Sequence, residues 1–427
     1  MKHWWIVCCA LAASGVQAQF VRAPQVDPAG GETTASVAGP KQGATVRPEV
    51  GKPLQAAQEL LKAKKYAEAL AKIAETDAVA NKTPFESFTI ARMRGAVAVS
   101  AGNSELALRS FDTVLAAGLL PPAEQLTTLQ AVAGVAYRAK QYAKSAALAA
   151  RYFKEGGADA QMRTLLIQSH YLGGAYAEAA RELQASLQDD ERAGKAPGED
   201  RLLLLASCHA RLNDAAGYRA VLEKLVAHHP KKAYWTDLLS RVPQRAGFAS
   251  RLALDLYRLR LATGNLASAA DYVEMAQLAL QESSPAEALK IIDQGFAAGL
   301  LGSGAEADRH KRLRDLAARS LADEQRSLVN SEAEAANAAA SPSGTGLFNL
   351  GWTLYHHGQA DKAIAMMELG LRKGGLKRPD DARLRLGAAC VQADQRAKAV
   401  QVLKTVQGND GTAELARLWL LLASAGA

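Results

Sequence analysis

The stretch Tyr66-Ala67-Glu68-Ala69-Leu70 recurs in varied form along the chain and decides how the chain folds. Its second alanine sits early in the second helix of a predicted helical pair. A small residue returns at that position, in most cases after 34 to 38 residues, at Ala69, Ala107, Ser145, Ala179, Ala288, Ala363 and Ala399. A period of this length, carried by helical pairs, predicts a solenoid in which each repeat packs on its neighbours.

The composition favours closely packed helices. Hydrophobic residues make up 49% of the 427 residues and aromatic residues only 6%. The abundant alanine has the best helix propensity and lets helices approach closely. Valine, isoleucine and threonine form no alternating pattern of the kind that predicts strands. The sequence therefore predicts an all-α protein, and a repeat array of this length needs no single large core.

The first residues are typical of an export signal. A basic start at Lys2 precedes an apolar run of about ten residues, which is too short to span a bilayer. The small residues of Val16-Gln17-Ala18 predict cleavage between Ala18 and Gln19. We therefore expect residues 1–18 to be a signal peptide and the mature chain to be periplasmic, with no stable transmembrane anchor after cleavage. An uncleaved anchor and lipidation at Cys8 or Cys9 are the alternatives.

Composition and repeat spacing divide the rest of the chain. A Pro/Gly/Thr-rich segment has too few large apolar residues to order itself, and Pro53 suits a first helical turn. The last helix, Thr412 to Ser424, lacks a partner and is expected to cap the array. The predicted segments are a disordered tether at 19–52, an N-terminal array at 53–303, a charged helix with an Ala/Ser/Gly spacer or hinge at 304–345, and C-terminal repeats with the capping helix at 346–427.

The recurring motif, of which Tyr66-Ala67-Glu68-Ala69 is the first copy, resembles the tetratricopeptide repeat, in which a tyrosine precedes a packing alanine by three residues. The fullest matches pair Gly351 with Ala363 and Gly387 with Ala399, where small residues let two helices touch. The resemblance covers most of residues 51–427. It implies a right-handed α-solenoid of about ten hairpins plus the capping helix. It also implies a concave surface that holds a protein partner, with no catalytic site and no cofactor.

The tetratricopeptide register predicts which side chains line that concave surface. In the N-terminal array the lining consists of amides, hydroxyls and arginines, which suit a peptide backbone or carboxylates. Near the C-terminus the lining becomes an aromatic strip that suits an apolar side chain or a sugar ring. Contact with the core of the neighbouring hairpin explains Phe348 and Trp352 equally well. The predicted groove residues are Arg92, Gln130, Tyr137, Arg138, Thr164, Gln168, Tyr171 and Arg211, followed by Phe348, Trp352, Tyr355 and His356 in the strip.

The sequence departs from the repeat pattern at three places, and we expect the chain to bend there. Tyr218 stands where alanine is expected, and Pro243 falls inside a predicted first helix, which it should kink. Residues 304–339 fit the repeat worst. The densest basic run, Arg309 to Arg314, lies in that last stretch, and it suits either an acidic partner or, more often, a solvated helix face.

No sequence pattern points to catalysis or to a metal site. The chain lacks a glycine-rich loop after a strand, a nucleophile elbow and a Cys-x-x-Cys pair. His170 and His209 occupy equivalent positions of adjacent first helices, with Cys208 beside the second, which resembles a metal site. We expect half-buried polar side chains at these positions rather than metal ligands. Cys208 and Cys390 lie about five repeats apart, so we expect two buried thiols rather than a disulfide.

These observations together favour a non-catalytic periplasmic scaffold that binds a protein or peptide of the cell envelope through its concave groove. The formal net charge of +8 allows contact with an anionic surface, whereas nucleic acid is not expected in the periplasm. The alternative is a helper in envelope polysaccharide assembly or export that contacts glycan through the aromatic strip. The identity of the partner and the oligomeric state do not follow from the sequence.

Overall fold

A computed structural model describes residues 45–424 of the chain. Over this range the chain forms 21 α-helices, three short 3-10 turns and no strand, which confirms the predicted all-α class. The predicted signal peptide, its cleavage site and most of the predicted tether lie outside the described residues.

The chain divides into two compact units, one ending at Ala179 and the other beginning at Ala180. The helices of the first unit are α1 (Pro48–Lys62), α2 (Tyr66–Glu75), α3 (Pro84–Ser100), α4 (Ser104–Ala117), α5 (Pro122–Arg138), α6 (Tyr142–Lys154), α7 (Ala160–Leu172) and the start of α8 (Tyr176–Arg192). This division differs from the boundaries at 303/304 and 345/346 drawn from the sequence, which remain a prediction.

The second unit contains the rest of α8 and thirteen further helices. In chain order these are α9 (Glu199–Arg211), α10 (Ala215–His228), α11 (Lys232–Arg241), α12 (Ala253–Ala262), α13 (Ala269–Gln281), α14 (Pro285–Ala297), α15 (Ala307–Leu328), α16 (Ser331–Ala340), α17 (Thr345–His356), α18 (Ala360–Lys373), α19 (Pro379–Gln392), α20 (Arg396–Leu403) and α21 (Thr412–Ser424).

Eight helical pairs share one turn geometry. The second residue after the first helix takes a positive φ. The backbone N–H of the residue that follows donates to a carbonyl in the last turn of that helix, as Lys65 N–H does to Leu60 O at 2.8 Å. This is the Schellman arrangement that ends many helices. The positive-φ residues are Lys64, Gly102, Lys140, Gly174, Asn213, Ser283, Gly358 and Asp394, so the turn has no constant residue type.

This constant turn explains the recurring alanine. In every one of the eight pairs the second helix begins two residues after the positive-φ residue, and the repeat position follows three residues later. Seven of these positions have no exposed surface: Ala69, Ala107, Ser145, Ala179, Ala288, Ala363 and Ala399. Ser145 fits among the alanines because its hydroxyl donates to Ala133 O at 3.0 Å and lies 2.9 Å from Ser169 Oγ.

Glycine permits the closest helix contact in the C-terminal pairs. A Cβ atom on Gly351 of α17 would lie 2.8 Å from Ala363 O in α18, and one on Gly387 of α19 would lie 2.4 Å from Leu403 Cδ2 in α20. Such distances are too short for a real Cβ contact. The glycine that precedes the packing alanine is therefore used for close approach of the two helices.

The first helix begins earlier than expected. Helix α1 starts at Pro48, before the predicted Pro53, and Val50 is fully buried within it. Arg47 holds this start in place, because its backbone N–H and its guanidinium both bond the carboxylate of Glu86 in α3. Residues 48–52 of the predicted tether therefore belong to α1.

Pro243 breaks the repeat as the sequence predicts. Helix α11 ends at Arg241, and Val242–Gln244 continues it as a single 3-10 turn. Tyr218 occupies the alanine position of α10 and is half-buried, with its hydroxyl donating to Asp237 Oδ2 at 2.7 Å. The close contact of that pair comes instead from Gly217, where a Cβ atom would lie 2.2 Å from His209 Nδ1.

The predicted spacer is tied to a neighbouring turn. Gly344 N–H donates to Gly374 O at 2.7 Å, and Ser343 Oγ–H donates to Gly375 O at 3.2 Å. A Cβ atom on Gly344 would lie only 1.8 Å from Gly370 O. In the described chain this segment is thus fixed against the end of α18, while α15 packs on α14 and α16 packs on α17.

The second unit closes on itself, contrary to the expectation that each repeat contacts only its neighbours. Helix α21 packs on α19 and α20 and also on α10 and α12, which lie far earlier in the chain. Its Leu415 and Trp419 are buried. The last helix is therefore not an unpartnered cap, because it joins the C-terminal helices to the middle of the chain.

Candidate binding surfaces

In the first unit, the predicted groove residues lie on the first helices α3, α5 and α7. Arg92, Gln130, Tyr137, Gln168 and Tyr171 are half-buried, whereas Arg138 and Thr164 are exposed. None of them is buried in the hydrophobic core. The fold therefore leaves a row of polar side chains available along three successive first helices.

Two contacts join these helices directly. Arg92 Nη2 of α3 lies 2.9 Å from Glu124 Oε2 of α5. Tyr137 of α5 donates its hydroxyl to Gln168 Oε1 of α7 at 3.2 Å. The structure thus brings together two of the predicted groove residues, Tyr137 and Gln168, which belong to adjacent repeats.

Repeated tyrosine pairs fix the end of this row. Tyr137 and Tyr142 meet edge to face with centroids 5.7 Å apart, and Tyr171 and Tyr176 do the same at 5.5 Å. Each pair connects the end of a first helix to the start of its second helix. Since such edge contacts favour one ring orientation, the phenol groups of Tyr137 and Tyr171 are held at equivalent places in successive repeats.

Arg138 differs from the other polar residues of the row. Its side chain is exposed, and it forms no ion pair with any residue between 45 and 424. The hydroxyl of Thr164, in contrast, donates to Ala160 O within its own helix at 3.2 Å. Arg138 is therefore the charged group of this surface that can bind a partner without first losing an internal ion pair.

The remaining predicted groove residues lie in the second unit. Arg211 is exposed at the end of α9. Phe348 is only 4% exposed and packs against the end of α18 near Gly370, so its assignment to an open groove is corrected. The reason is that the glycine contact between α17 and α18 draws this face of α17 into the core.

Trp352, Tyr355 and His356 do form a compact aromatic group on α17. Trp352 and Tyr355 stack at 5.7 Å with an interplanar angle of 16°, and His356 meets the Trp352 ring edge to face at 4.7 Å. Two arginines contact the tryptophan, with Arg258 Cζ at 4.8 Å and Arg385 Cζ at 5.8 Å from the ring centroid. The indole ring is thus engaged by the chain's own cations.

These arginines belong to a buried polar cluster that sequence reasoning missed. Arg258 forms a two-pronged contact with Glu287, at 2.7 Å for each bond, and donates to Asp255 Oδ1 at 2.6 Å. Arg385 contacts Asp255 and also Glu282. We call Asp255, Arg258, Glu282, Glu287 and Arg385 the polar cluster. Its members come from α12, α14, α19 and the end of α13, so no local sequence pattern predicts the cluster.

Burial and the neighbouring charges shift the pKa values of two carboxyl groups in the polar cluster. Burial disfavours the ionised form of Glu287, but the charge of Arg258 outweighs this and holds the pKa of Glu287 at about 2. Burial raises the pKa of Glu282 despite the nearby arginines. Three carboxyl groups face two guanidinium groups, so the cluster lacks one compensating positive charge when all of them are ionised.

His356 adds a polar atom without a partner. Its Nε2 atom is buried, has no hydrogen bond and lies 3.6 Å from Glu287 Oε2. Burial lowers the pKa of His356 to about 4, although Glu287 acts in the opposite direction. The imidazole is therefore neutral near pH 7 and does not supply the missing positive charge.

The other candidate groups have structural contacts. Cys208 and Cys390 are buried free thiols, as predicted, and burial raises the pKa of each to about 11. His209 Nδ1 lies 2.9 Å from Asp214 Oδ2. Between residues 45 and 424, no group of three histidine, cysteine, aspartate or glutamate side chains is placed to hold a metal ion.

The basic run on α15 is largely a solvated face. Arg309 pairs with Glu306 at 3.2 Å and Arg314 with Asp293 at 2.6 Å. His310 is buried and accepts a bond from Gly302 N–H at 3.2 Å. In the described part of the chain, no helix is both long enough and apolar enough to cross a membrane.

Comparisons with known proteins find structural neighbours only. No protein-family model and no curated protein matches the chain. The chain is similar to a tetratricopeptide repeat protein from Parabacteroides merdae, with 14% identity over 63% of this chain and 98% of that one and a TM-score of 0.27. It is also similar to yeast Tom70, with 11% identity over 88% and 96% of the two chains and a TM-score of 0.24.

A third neighbour is the P58(IPK) TPR domain, with 14% identity over 88% of this chain and 97% of that one and a TM-score of 0.21. Two of these three descriptions name the repeat class that the sequence resembles. Because the TM-scores are low, the description of the fold rests on the helical pairs and turns given above.

Proposed function

We propose that this chain is a non-catalytic scaffold that binds a protein or peptide of the cell envelope through the first helices of its first unit. One observation supports the proposal above all. Polar side chains on α3, α5 and α7 form a row that the core does not use, with Tyr137 joined to Gln168 and Arg138 exposed. Amide, phenol and guanidinium groups of this kind bind peptide backbones and carboxylates.

A capture experiment tests this surface. The native chain, Arg138→Glu and a control, Arg109→Glu, would be used to recover crosslinked partners from a periplasmic extract. Arg109 is also an exposed arginine, but it lies on the second helix α4 and pairs with Glu105. We expect Arg138→Glu to recover at least about tenfold less of the main partner than the native chain does, because a repulsive charge replaces an attractive one. Equal recovery by all three proteins would contradict the proposal.

Location in the periplasm is a separate part of the proposal, supported by the sequence of residues 1–18. Fractionation of cells that express the full chain, with N-terminal sequencing of the product, tests it. We expect a periplasmic protein that begins at Gln19. A cytoplasmic protein with an intact N-terminus would overturn this part without touching the proposed binding surface.

The glycan alternative stays a prediction from the sequence. No contact in the described chain favours it, since Phe348 is buried and the Trp352 ring is engaged by Arg258 and Arg385. We therefore carry only the protein-binding proposal forward.

A further inference from the structure

The guanidinium of Arg385 occupies a well-defined slot in the second unit. Its Nη2 atom lies 3.2 Å from Asp255 Oδ2 and 2.8 Å from Glu282 Oε2, and its Cζ atom lies 5.8 Å from the centroid of Trp352. Two carboxylates beside an aromatic ring are the features that bind a guanidinium group. We call Asp255, Glu282 and Trp352 the arginine slot.

The slot requires a cation. Asp255 is 2% exposed and accepts a bond from Arg258 at 2.6 Å, but the guanidinium of Arg258 is also bonded twice to Glu287. Without Arg385, the three carboxylates of the polar cluster would share the single guanidinium of Arg258, which is strongly unfavourable. A planar guanidinium bonds two carboxylates and stacks on the indole at the same time, whereas a lysine ammonium does not.

The slot also reaches the surface. The side chains of Arg385 and Glu282 keep 23% and 29% of their exposure, and Trp352 is half-buried. His356, which meets the Trp352 ring edge to face, has a buried Nε2 atom without a hydrogen-bond partner, 3.6 Å from Glu287 Oε2. The slot is therefore open to solvent at its rim.

Arg385 lies in a part of the chain that is joined to the middle of the second unit by ion pairs as well as by the buried side chains of α21. Seven such pairs join residues 219–282 to residues 381–417, and we call this set the clasp. Of these seven pairs, a competing cation in the slot has to replace only the two that Arg385 forms, with Asp255 and with Glu282.

We propose that the arginine slot is a binding site for an arginine-bearing segment of a protein partner, which takes the place of Arg385. In the free protein Arg385 is the internal occupant. When a partner's arginine enters, Asp255 and Glu282 keep their compensation and the side chain of Arg385 is released. This site lies in the second unit and does not depend on the surface around Arg138.

Calorimetric titration with two short blocked peptides tests the proposal, one being Gly-Arg-Gly and the other Gly-Lys-Gly. In Arg385→Ala the slot is vacant, so we expect the arginine peptide to bind at least about tenfold more tightly than to the native chain, and about tenfold more tightly than the lysine peptide. The control is Arg417→Ala, which removes a clasp arginine that pairs with Glu223 and is not near an aromatic ring. We expect it to show no gain.

Two further variants keep the test decisive. Adding Trp352→Leu to Arg385→Ala is expected to remove the gain, because one wall of the slot is lost. If Arg385→Ala does not fold, Arg385→Lys keeps the charge without the planar group, and we expect the same preference for arginine with a smaller gain. Equal affinity for the two peptides, or the same gain in Arg417→Ala, would overturn the proposal.

Discussion

Arg251 Nη2 lies 2.8 Å from Asp381 Oδ1, although the two residues are 130 positions apart in the chain. The same guanidinium contacts Asp410 Oδ2 at 2.6 Å, and Ala249 N–H donates to Asp410 O at 2.9 Å. Helices α19 and α21 are thereby held against the middle of the chain. The second unit consequently depends on contacts between repeats that are not neighbours.

Arg251→Ala should destabilise the second unit. The change leaves Asp381 and Asp410 without their shared cation, and the pair with Asp381 is mostly buried, with 26% and 15% side-chain exposure. We expect a loss of about 1–3 kcal/mol in the free energy of unfolding, measured by urea denaturation. The control is Arg309→Ala, whose pair with Glu306 is 59% exposed on both sides. Its expected change is below about 0.5 kcal/mol. Equal effects of the two substitutions would contradict a stabilising role of the clasp.

Gly351→Ala and Gly134→Ala should change stability in opposite directions. A methyl group on Gly351 meets the backbone oxygen of Ala363 at 2.8 Å, so we expect a loss of about 1–3 kcal/mol from overpacking. A methyl group on Gly134 would lie 3.5 Å from Arg138 Nη1, which is an ordinary contact. There the better helix propensity of alanine should add about 0.5–1 kcal/mol. Thermal unfolding of both variants measures this. A stabilising Gly351→Ala would refute the close contact between α17 and α18.

Part of the stability of the first unit should be lost in acid. Bonds from Arg47 and then from the Thr83 amide lower the pKa of Glu86 from 4.5 to about 2. A carboxyl group with a lowered pKa stabilises the folded state above its unfolded pKa, and this contribution disappears as the pH falls from 4.5 towards 2. We expect Arg47→Ala to weaken this pH dependence and to make residues 45–50 more sensitive to protease. Urea unfolding at pH 7 and pH 3 measures the first effect.

The matched control for that measurement is Arg109→Ala, whose pair with Glu105 is exposed on both sides. An identical pH dependence in the native chain and both variants would show that the contact of Arg47 with Glu86 does not hold the start of α1.

The two thiols should be unreactive in the folded protein. Burial raises the pKa of Cys208 and of Cys390 to about 11, and only the thiolate reacts. We expect a chain that begins at Gln19 to react with Ellman's reagent at pH 8 at least about 100-fold more slowly when folded than when unfolded in urea. Two thiols should then appear in urea without reductant. One fast thiol in the folded state would show that its helix opens.

The sequence anticipated the local structure well because that structure depends on short-range rules. The recurring small residue marks the second helix in seven of the eight pairs, with Tyr218 as the exception, and Pro243 ends α11 almost where the repeat register places the break. The turns were harder to recognise, since Lys64, Asn213 and Asp394 adopt the same left-handed conformation that glycine adopts elsewhere. Their common hydrogen bond, rather than a common residue type, defines the turn.

The candidate surfaces divide in the same way. The register placed Tyr137 and Gln168 on adjacent helices, and the structure joins them by a hydrogen bond. It left open whether Phe348 is exposed or buried, and it did not indicate that Arg385 contacts the ring of Trp352. Those outcomes depend on which distant helices pack against α17, and a periodic pattern contains no information about such contacts.

The sequence by itself determined the all-α repeat, the helical pairs and the positions where small residues allow close packing, because each depends on side chains within one period. Only the tertiary structure decided that the second unit closes on itself. That closure pairs Arg251 with Asp381 and Arg385 with Asp255 across 130 residues. Ion pairs formed at such separations depend on the three-dimensional path of the chain. For the same reason the arginine slot became visible only once α12, α13, α17 and α19 were placed together.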